Sequence, residues 1–151
     1  MRLVLQRVSY ASVTIDKKEK RSIGKGLVAL VGIGVDDTDD DVRLMCRKCA
    51  ELRVFADEEG RLNLSAAQQG LDILAVSNFT LYADCRKGRR PGFSAAAKPP
   101  ESIRLYNLFV KSLAEYPFGK IETGEFGADM QLEILNDGPI TLILDTDEWK
   151  K

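Results

Sequence analysis

The sequence has 151 residues, of which 44% are apolar and 30% charged, with a formal net charge of −1. That is the balance of one soluble folded domain spanning 1–151, and no apolar run approaches the ~20 residues that a membrane-spanning helix needs. A charge so close to neutrality excludes global attraction to nucleic acid, so any such contact has to be local.

The chain contains 0 histidines. This removes every mechanism that needs imidazole: a Ser-His-Asp triad, a Cys-His pair, a His-ligated zinc. If the chain is an enzyme, its chemistry falls to backbone amides, hydroxyls, lysines, carboxylates or groups of the substrate itself. The 3 cysteines, Cys46, Cys49 and Cys85, are an odd number and suit a reducing cytoplasm better than a disulfide framework. No metal or other cofactor is expected.

In chain order, Met1–Arg7 has an early charge but neither a long apolar core nor a small-residue cleavage site, and reads as a first strand, not a signal peptide. Leu3–Val8 and Ala11–Asp16 are β-like runs, and Lys17–Arg21 is a charged hairpin end. Leu27–Val35 is almost wholly apolar, as in a strand buried on both faces.

Thr38 is a good N-cap, and Asp39, Asp40 and Asp41 follow where a helix dipole favours anions. Three acids in a row also suit a metal, but no further ligand cluster follows, so the helix start is the better reading. Val42, Met45, Cys49 and Leu52 recur at helical spacing, which makes the nearby cysteines packing residues.

Arg61–Leu64 is a short strand, and Leu71–Val76 is a second apolar strand that runs into Ser77-Asn78-Phe79-Thr80-Leu81. A buried strand ending in hydroxyl and amide groups either places polar groups at the mouth of a site or satisfies them locally. Tyr82–Lys98 reads as a long loop with Arg86, Lys87, Arg89 and Arg90 clustered near Gly88, Gly92 and Phe93. Such a loop is either a solvated excursion or a phosphate-tracking segment with an aromatic ring to stack on a base.

Pro99-Pro100-Glu101 opens a second helix with Ile103, Tyr106, Phe109, Val110 and Leu113 as its apolar stripe. Lys120–Thr123 is a short strand. Met130–Leu135 and Ile140–Leu144 alternate with period two, and Asn136-Asp137-Gly138-Pro139 between them reads as a hairpin turn. Gly138-Pro139 is a stiff tip with a bare backbone. It either sets strand register or presses its carbonyls against a ligand. The predicted fold is α+β, with mostly antiparallel sheets forming a barrel-like core covered by two helices.

Ser77-Asn78-Phe79-Thr80-Leu81 and Asn136-Asp137-Gly138-Pro139-Ile140-Thr141 closely resemble the two signature motifs of the D-aminoacyl-tRNA deacylases, SQFTL and NxGPVT. The resemblance covers essentially the whole chain, including Leu5–Val8, Ala11–Val13, Arg89–Ser94 and Phe126–Met130. Asn78 stands where the family pattern has Gln, one methylene longer, and Ile140 where it has Val.

The resemblance implies a cytoplasmic homodimer that works in translation quality control. It would hydrolyse the ester between a D-amino acid and the 3′ end of tRNA, and remove glycine mischarged on tRNA. A cis Gly138-Pro139 peptide would reach into the partner's pocket and reject an L side chain. Asn78, Phe126 and Met130 would bind substrate, the last two around the terminal adenosine. Arg86, Lys87, Arg89 and Arg90 would follow the acceptor stem. For catalysis, the Phe79 and Thr80 backbone amides are candidate oxyanion donors beside Ser77. The terminal 2′-hydroxyl is a better source of reactivity than the unactivated Thr80 hydroxyl. The rival readings are a tRNA-binding module without hydrolytic activity, and a plain esterase of small substrates or a structural dimer.

Overall fold

The computed structural model describes residues 1–150. Its elements are, in order, β1 (Arg2–Ile15), β2 (Glu19–Ile23), β3 (Gly26–Gly32), α1 (Asp39–Glu51), β4 (Arg53–Ala56), β5 (Leu62–Ser65), β6 (Asp72–Ser77), a 3-10 helix (Phe79–Tyr82), α2 (Glu101–Leu113), β7 (Ile121–Thr123), β8 (Met130–Asp145) and the short α3 (Thr146–Trp149).

The two runs at the start form one strand. One edge of β1 pairs antiparallel with β8 from Arg2↔Asp145 to Ile15↔Met130. Its other edge is shared by β3, opposite Arg2 to Val8, and β2, opposite Ala11 to Ile15. The β1–β2 turn is tighter than the charged run suggests. Asp16 and Lys17 both have positive φ, 50° and 58°, and Lys18 N–H closes the turn on Ile15 O at 3.0 Å. Two positive φ values are what a two-residue turn between twisted strands requires.

Beyond β3 the sheet continues to β6 and then β7, and both of these pairings are parallel. The β3 and β6 segments are buried along most of their length, as the unbroken apolar runs require. The remaining pairs are antiparallel, including the separate β4–β5 ribbon. The outer strands β2 and β7 approach each other. Arg21 donates to Thr123 O at 2.8 Å, and Lys120 donates to Ser22 O at 2.7 Å. The sheet is thus a nearly closed barrel.

Side chains alternate across this sheet. Leu27, Ala29, Val31, Ile73 and Ala75 face α1 and α2, where Met45, Cys49, Leu105 and Phe109 pack on them. Val28, Leu74 and Val76 face inward to Val8, Val13 and the inner side of β8. Cys46 and Cys49 are core residues. Burial pushes the Cys46 thiol up to about 12, and its Sγ donates to Phe109 O.

Thr38 caps α1 as expected. Asp41 N–H donates to its hydroxyl, and the Asp41 carboxylate accepts from Thr38 N–H at 2.8 Å. In α2 the buried stripe is Ser102, Leu105, Tyr106, Phe109, Ser112 and Leu113, while Ile103 is exposed. Two small serines at its ends disguise that stripe.

The predicted final hairpin does not form. Met130–Leu135 and Ile140–Leu144 do not pair with each other, because both lie along β1 within the single strand β8. Val8↔Asn136 and Gln6↔Thr141 are successive partners around an interruption in the ladder. Arg7 alone lies between them on β1, and Asp137–Ile140 lie between them on β8. The turn residues therefore make a bulge, which leaves the chain direction unchanged.

Candidate active site

The β6 ladder ends where Asn78 N–H donates to Val31 O at 2.8 Å. The chain then tightens into the 3-10 helix. Asn78 caps it, its Oδ1 accepting from Thr80 N–H at 3.3 Å and from the Thr80 hydroxyl. An N–H can only donate, so the atom facing Thr80 is the carboxamide oxygen. The Asn78 NH2 is left pointing away from that cap with no partner among the described residues. Phe79 N–H, the next donor after the ladder, likewise has no hydrogen-bond partner among the described residues. Close packing of this turn on the segment after β3 depends on Gly34, where an added Cβ would lie 2.7 Å from the Tyr82 ring.

Ser77, Asn78 and Phe79 line a cleft of about 540 Å³. Its other walls come from β3, from the start of α2 and from the segment Phe126–Met130 that leads into β8. The lining is predominantly apolar, with Val76, Leu132 and Ile134 beneath. Phe126 and Met130 thus line the same cleft as Ser77–Phe79. Phe126 packs against Tyr106 at 5.9 Å between ring centroids. The Tyr106 hydroxyl donates to Ala75 O, and burial pushes its pKa up to about 12. Thr80 is exposed and lies outside the cleft lining.

Gly138 and Pro139 do not line this cleft. They are exposed at the β8 bulge, and the peptide between them is cis. The bulge is held by its neighbours. Asn136 Nδ2 donates to Arg7 O and Ile140 O, each at 2.9 Å. Arg7 donates to Val54 O at 2.8 Å and pairs with Asp137 at 3.2 Å. Gly138 has φ +122°, and an added Cβ would lie 2.9 Å from Ile140 N. Arg7 was not picked out from the sequence as a site residue; its charge in the middle of a β-like run was the available signal.

Arg86, Lys87 and Arg90 surround a second, shallower depression with Asp84, Gly92 and Ser94. Arg89 is exposed beside them. Arg86 is paired with Asp84 through two side-chain bonds of 2.8 Å, which hold the Asp84 carboxyl well below the usual range. The loop is tied to the cleft by Phe93, whose ring meets Phe79 edge-on at 4.9 Å.

Residues 4–145 match the family model described as D-Tyr-tRNA(Tyr) deacylase. The chain belongs to this family. It is 50% identical over 146 residues to the D-aminoacyl-tRNA deacylase of Bacteroides thetaiotaomicron, covering 97% of each chain. It is 49% identical, with the same coverage, to that of Akkermansia muciniphila. Among solved structures, the c-Myc DNA Unwinding Element Binding Protein superimposes with a TM-score of 0.89 at 40% identity, over 96% of this chain and 98% of the other. A probable eukaryotic D-amino acid tRNA deacylase gives a TM-score of 0.78 at 18% identity, over 95% and 97%, a likeness of fold alone.

Proposed function

We propose that this chain hydrolyses the ester joining a D-amino acid to the 3′ end of tRNA, removes glycine mischarged on tRNA, and rejects L-aminoacyl-tRNA. The observation that carries the reading is the open cleft at the end of β6, with free donors at Phe79 N–H and Asn78 Nδ2, in a chain of this family. An aminoacyl ester is already activated, so donors for the oxyanion matter more than a strong base. Thr80 N–H is engaged with Asn78 Oδ1, and in this reading the Asn78 amide replaces it as the second donor beside Phe79.

Thr80 Oγ1 gives its proton to a neutral amide oxygen, not to a base, which suits a structural cap better than a nucleophile. The general base is then the 2′-hydroxyl of the terminal adenosine, next to the ester. Ser77 lines the reacting end of the cleft, and Phe126 and Met130 receive the adenosine. Arg86, Lys87, Arg89 and Arg90 follow the acceptor stem.

The chiral filter is the exposed Gly138-Pro139 tip of a second copy. A tip that lies away from its own cleft suits a site completed across a homodimer. Leu135 and Ile143, 60% and 77% exposed on β8, supply apolar surface for that association. Carbonyls at the tip would hold the α-amino group, and the tip would leave no space for an L side chain. Glycine passes because it has none. Such a function belongs in the cytoplasm.

One comparison tests the proposal: release of D- and L-amino acid from charged tRNA, beside a simple amino-acid ester. D-selective release from tRNA is expected. Binding without release would make the chain a tRNA-binding module, and indifference to RNA would make it a plain esterase.

A further inference from the structure

We infer, on the function proposed above, that Phe79 and Phe93 form a corner in which the unpaired base next to the terminal adenosine stacks. Phe79 is 56% exposed and Phe93 36%, yet the two rings are fitted to each other, with centroids 4.9 Å apart and planes at 71°. A single exposed apolar side chain is ordinary on a protein surface. Two rings set edge to face and open to solvent leave aromatic surface without a partner.

Position narrows the class of the occupant. Phe79 lines the cleft proposed for the ester. Phe93 lies between Gly92 and Ser94, which line the depression of about 470 Å³ walled also by Arg86, Lys87 and Arg90. The rings therefore stand between an apolar cleft and a cationic hollow. Arg86 is balanced by Asp84, but Lys87 and Arg90 form no salt bridge among the described residues. A ligand that puts its reacting end in the cleft and a phosphate in the hollow has to pass the corner. Single-stranded nucleic acid suits that path, because phosphates alternate with bases and every base has a face to stack.

The corner is also held in place. Asp84 and Gly92 exchange backbone hydrogen bonds of 2.7 and 2.9 Å, which close the basic loop just before Phe93. Just after it, Ala96 N–H donates to Phe93 O at 3.1 Å. Stacking on rings already in position costs little ordering. The rings read no hydrogen-bonding edge, so the contact adds affinity without choosing among bases.

The probes are two acceptor-stem RNAs with an unpaired 3′ end. One is intact; the other lacks the base next to the terminal adenosine but keeps its phosphates. The parent should bind the abasic RNA roughly tenfold more weakly. Phe93→Leu keeps an apolar side chain against Phe79 but removes the ring, so it should bind both RNAs alike. Phe93→Tyr keeps the ring and should keep the difference. Release of D-tyrosine from its ester with adenosine alone, which has no second base, should be the same for all three proteins.

A parent that binds both RNAs equally overturns the inference, and that comparison needs no variant. So does a Phe93→Leu protein that keeps the tenfold difference, or a Phe93→Tyr protein that lacks it. A lower kcat for Phe93→Leu on the adenosine ester would assign Phe93 to holding Phe79 in place, and a changed oligomeric state would make the corner a subunit contact; either result overturns it too. If the parent releases no D-amino acid from tRNA, the function proposal fails instead, and the abasic comparison still decides the role of the corner.

Discussion

At the β8 bulge, the side chains turn their hydrogen bonds onto the chain. Asn136 bonds Arg7 O and Ile140 O, and Arg7 bonds Val54 O and Asp137, so that Gly138 and Pro139 project with bare backbone. At the end of β6 the arrangement is reversed. A single side chain, Asn78, ties down Thr80, while Asn78 Nδ2 and Phe79 N–H, on two residues that line the cleft, have no partner among the described residues. One region is exposed and sterically defined; the other lines a cleft. In the proposed function, selection and chemistry fall to different strands. A site using both would need them brought together by a second subunit.

The strongest way to break this comparison is to remove the free donor and keep the tie. Asn78→Asp still accepts from Thr80 N–H and hydroxyl, but it loses both N–H groups and places negative charge where the oxyanion develops. Single-turnover kcat should fall by about 10²–10³, with the melting temperature unchanged. Retained activity would show that the Asn78 amide plays no part in the chemistry. At the bulge, Gly138→Ala puts a Cβ at φ +122°, 2.9 Å from Ile140 N and 3.2 Å from Arg7 Nη2. It should destabilise the fold by about 1–3 kcal/mol and lower D-amino-acid release by about 100-fold through misplacement of the tip.

Mixing the two inactive variants sharpens the point. In a mixed dimer, one site would combine the intact Asn78 of one subunit with the intact Gly138 of the other. Release should return on mixing and subunit exchange. If it does not, each chain uses its own tip or the tip is not part of the site.

Thr80→Val removes the hydroxyl but leaves the Thr80 N–H bond to Asn78. The cap is weakened by one hydrogen bond, and kcat should fall by less than roughly tenfold. A tRNA ending in 2′-deoxyadenosine should lose most activity with the parent enzyme. Full loss with Thr80→Val and none with the deoxy substrate would make Thr80 the nucleophile.

The two regions were not equally legible in the sequence. The apolar runs at Leu27–Val35 and Leu71–Val76 gave the two buried strands, although β3 already ends at Gly32, and Thr38 gave the start of α1. The bulge read as a hairpin because period-two runs flanking Asn-Asp-Gly-Pro look the same whether the chain reverses or only interrupts its ladder. What decides is the length of β1, 14 residues, which accommodates both halves of β8. Asn78 was seen as a shortened Gln, but its role as a cap follows only from the tight turn after β6.

The basic loop makes a smaller contribution, through long-range attraction. Alanine at Lys87, Arg89 or Arg90 should each weaken tRNA binding and reduce its salt slope by about one. Arg86→Ala should do less, because Asp84 already balances that charge. Equal slopes for all four variants and the parent would leave the loop a solvated excursion.

Asp41 bounds the comparison from outside, as a polar group wholly satisfied within the chain and remote from both regions. Burial pushes its carboxyl up, but Lys150 at 2.8 Å and the Thr38 N–H and hydroxyl outweigh this and hold it down to about 2. A carboxyl depressed on folding stabilises the protein above its unfolded value, roughly 3.9, and that contribution disappears as pH falls through the folded one. Lys150→Met moves the folded value back toward the unfolded one, so acid unfolding should begin at higher pH, while deacylation near neutrality changes least of all the variants. A marked loss of activity in Lys150→Met would mean that the junction of α1 and α3 communicates with the cleft, and that the division of labour between bulge and cleft is incomplete.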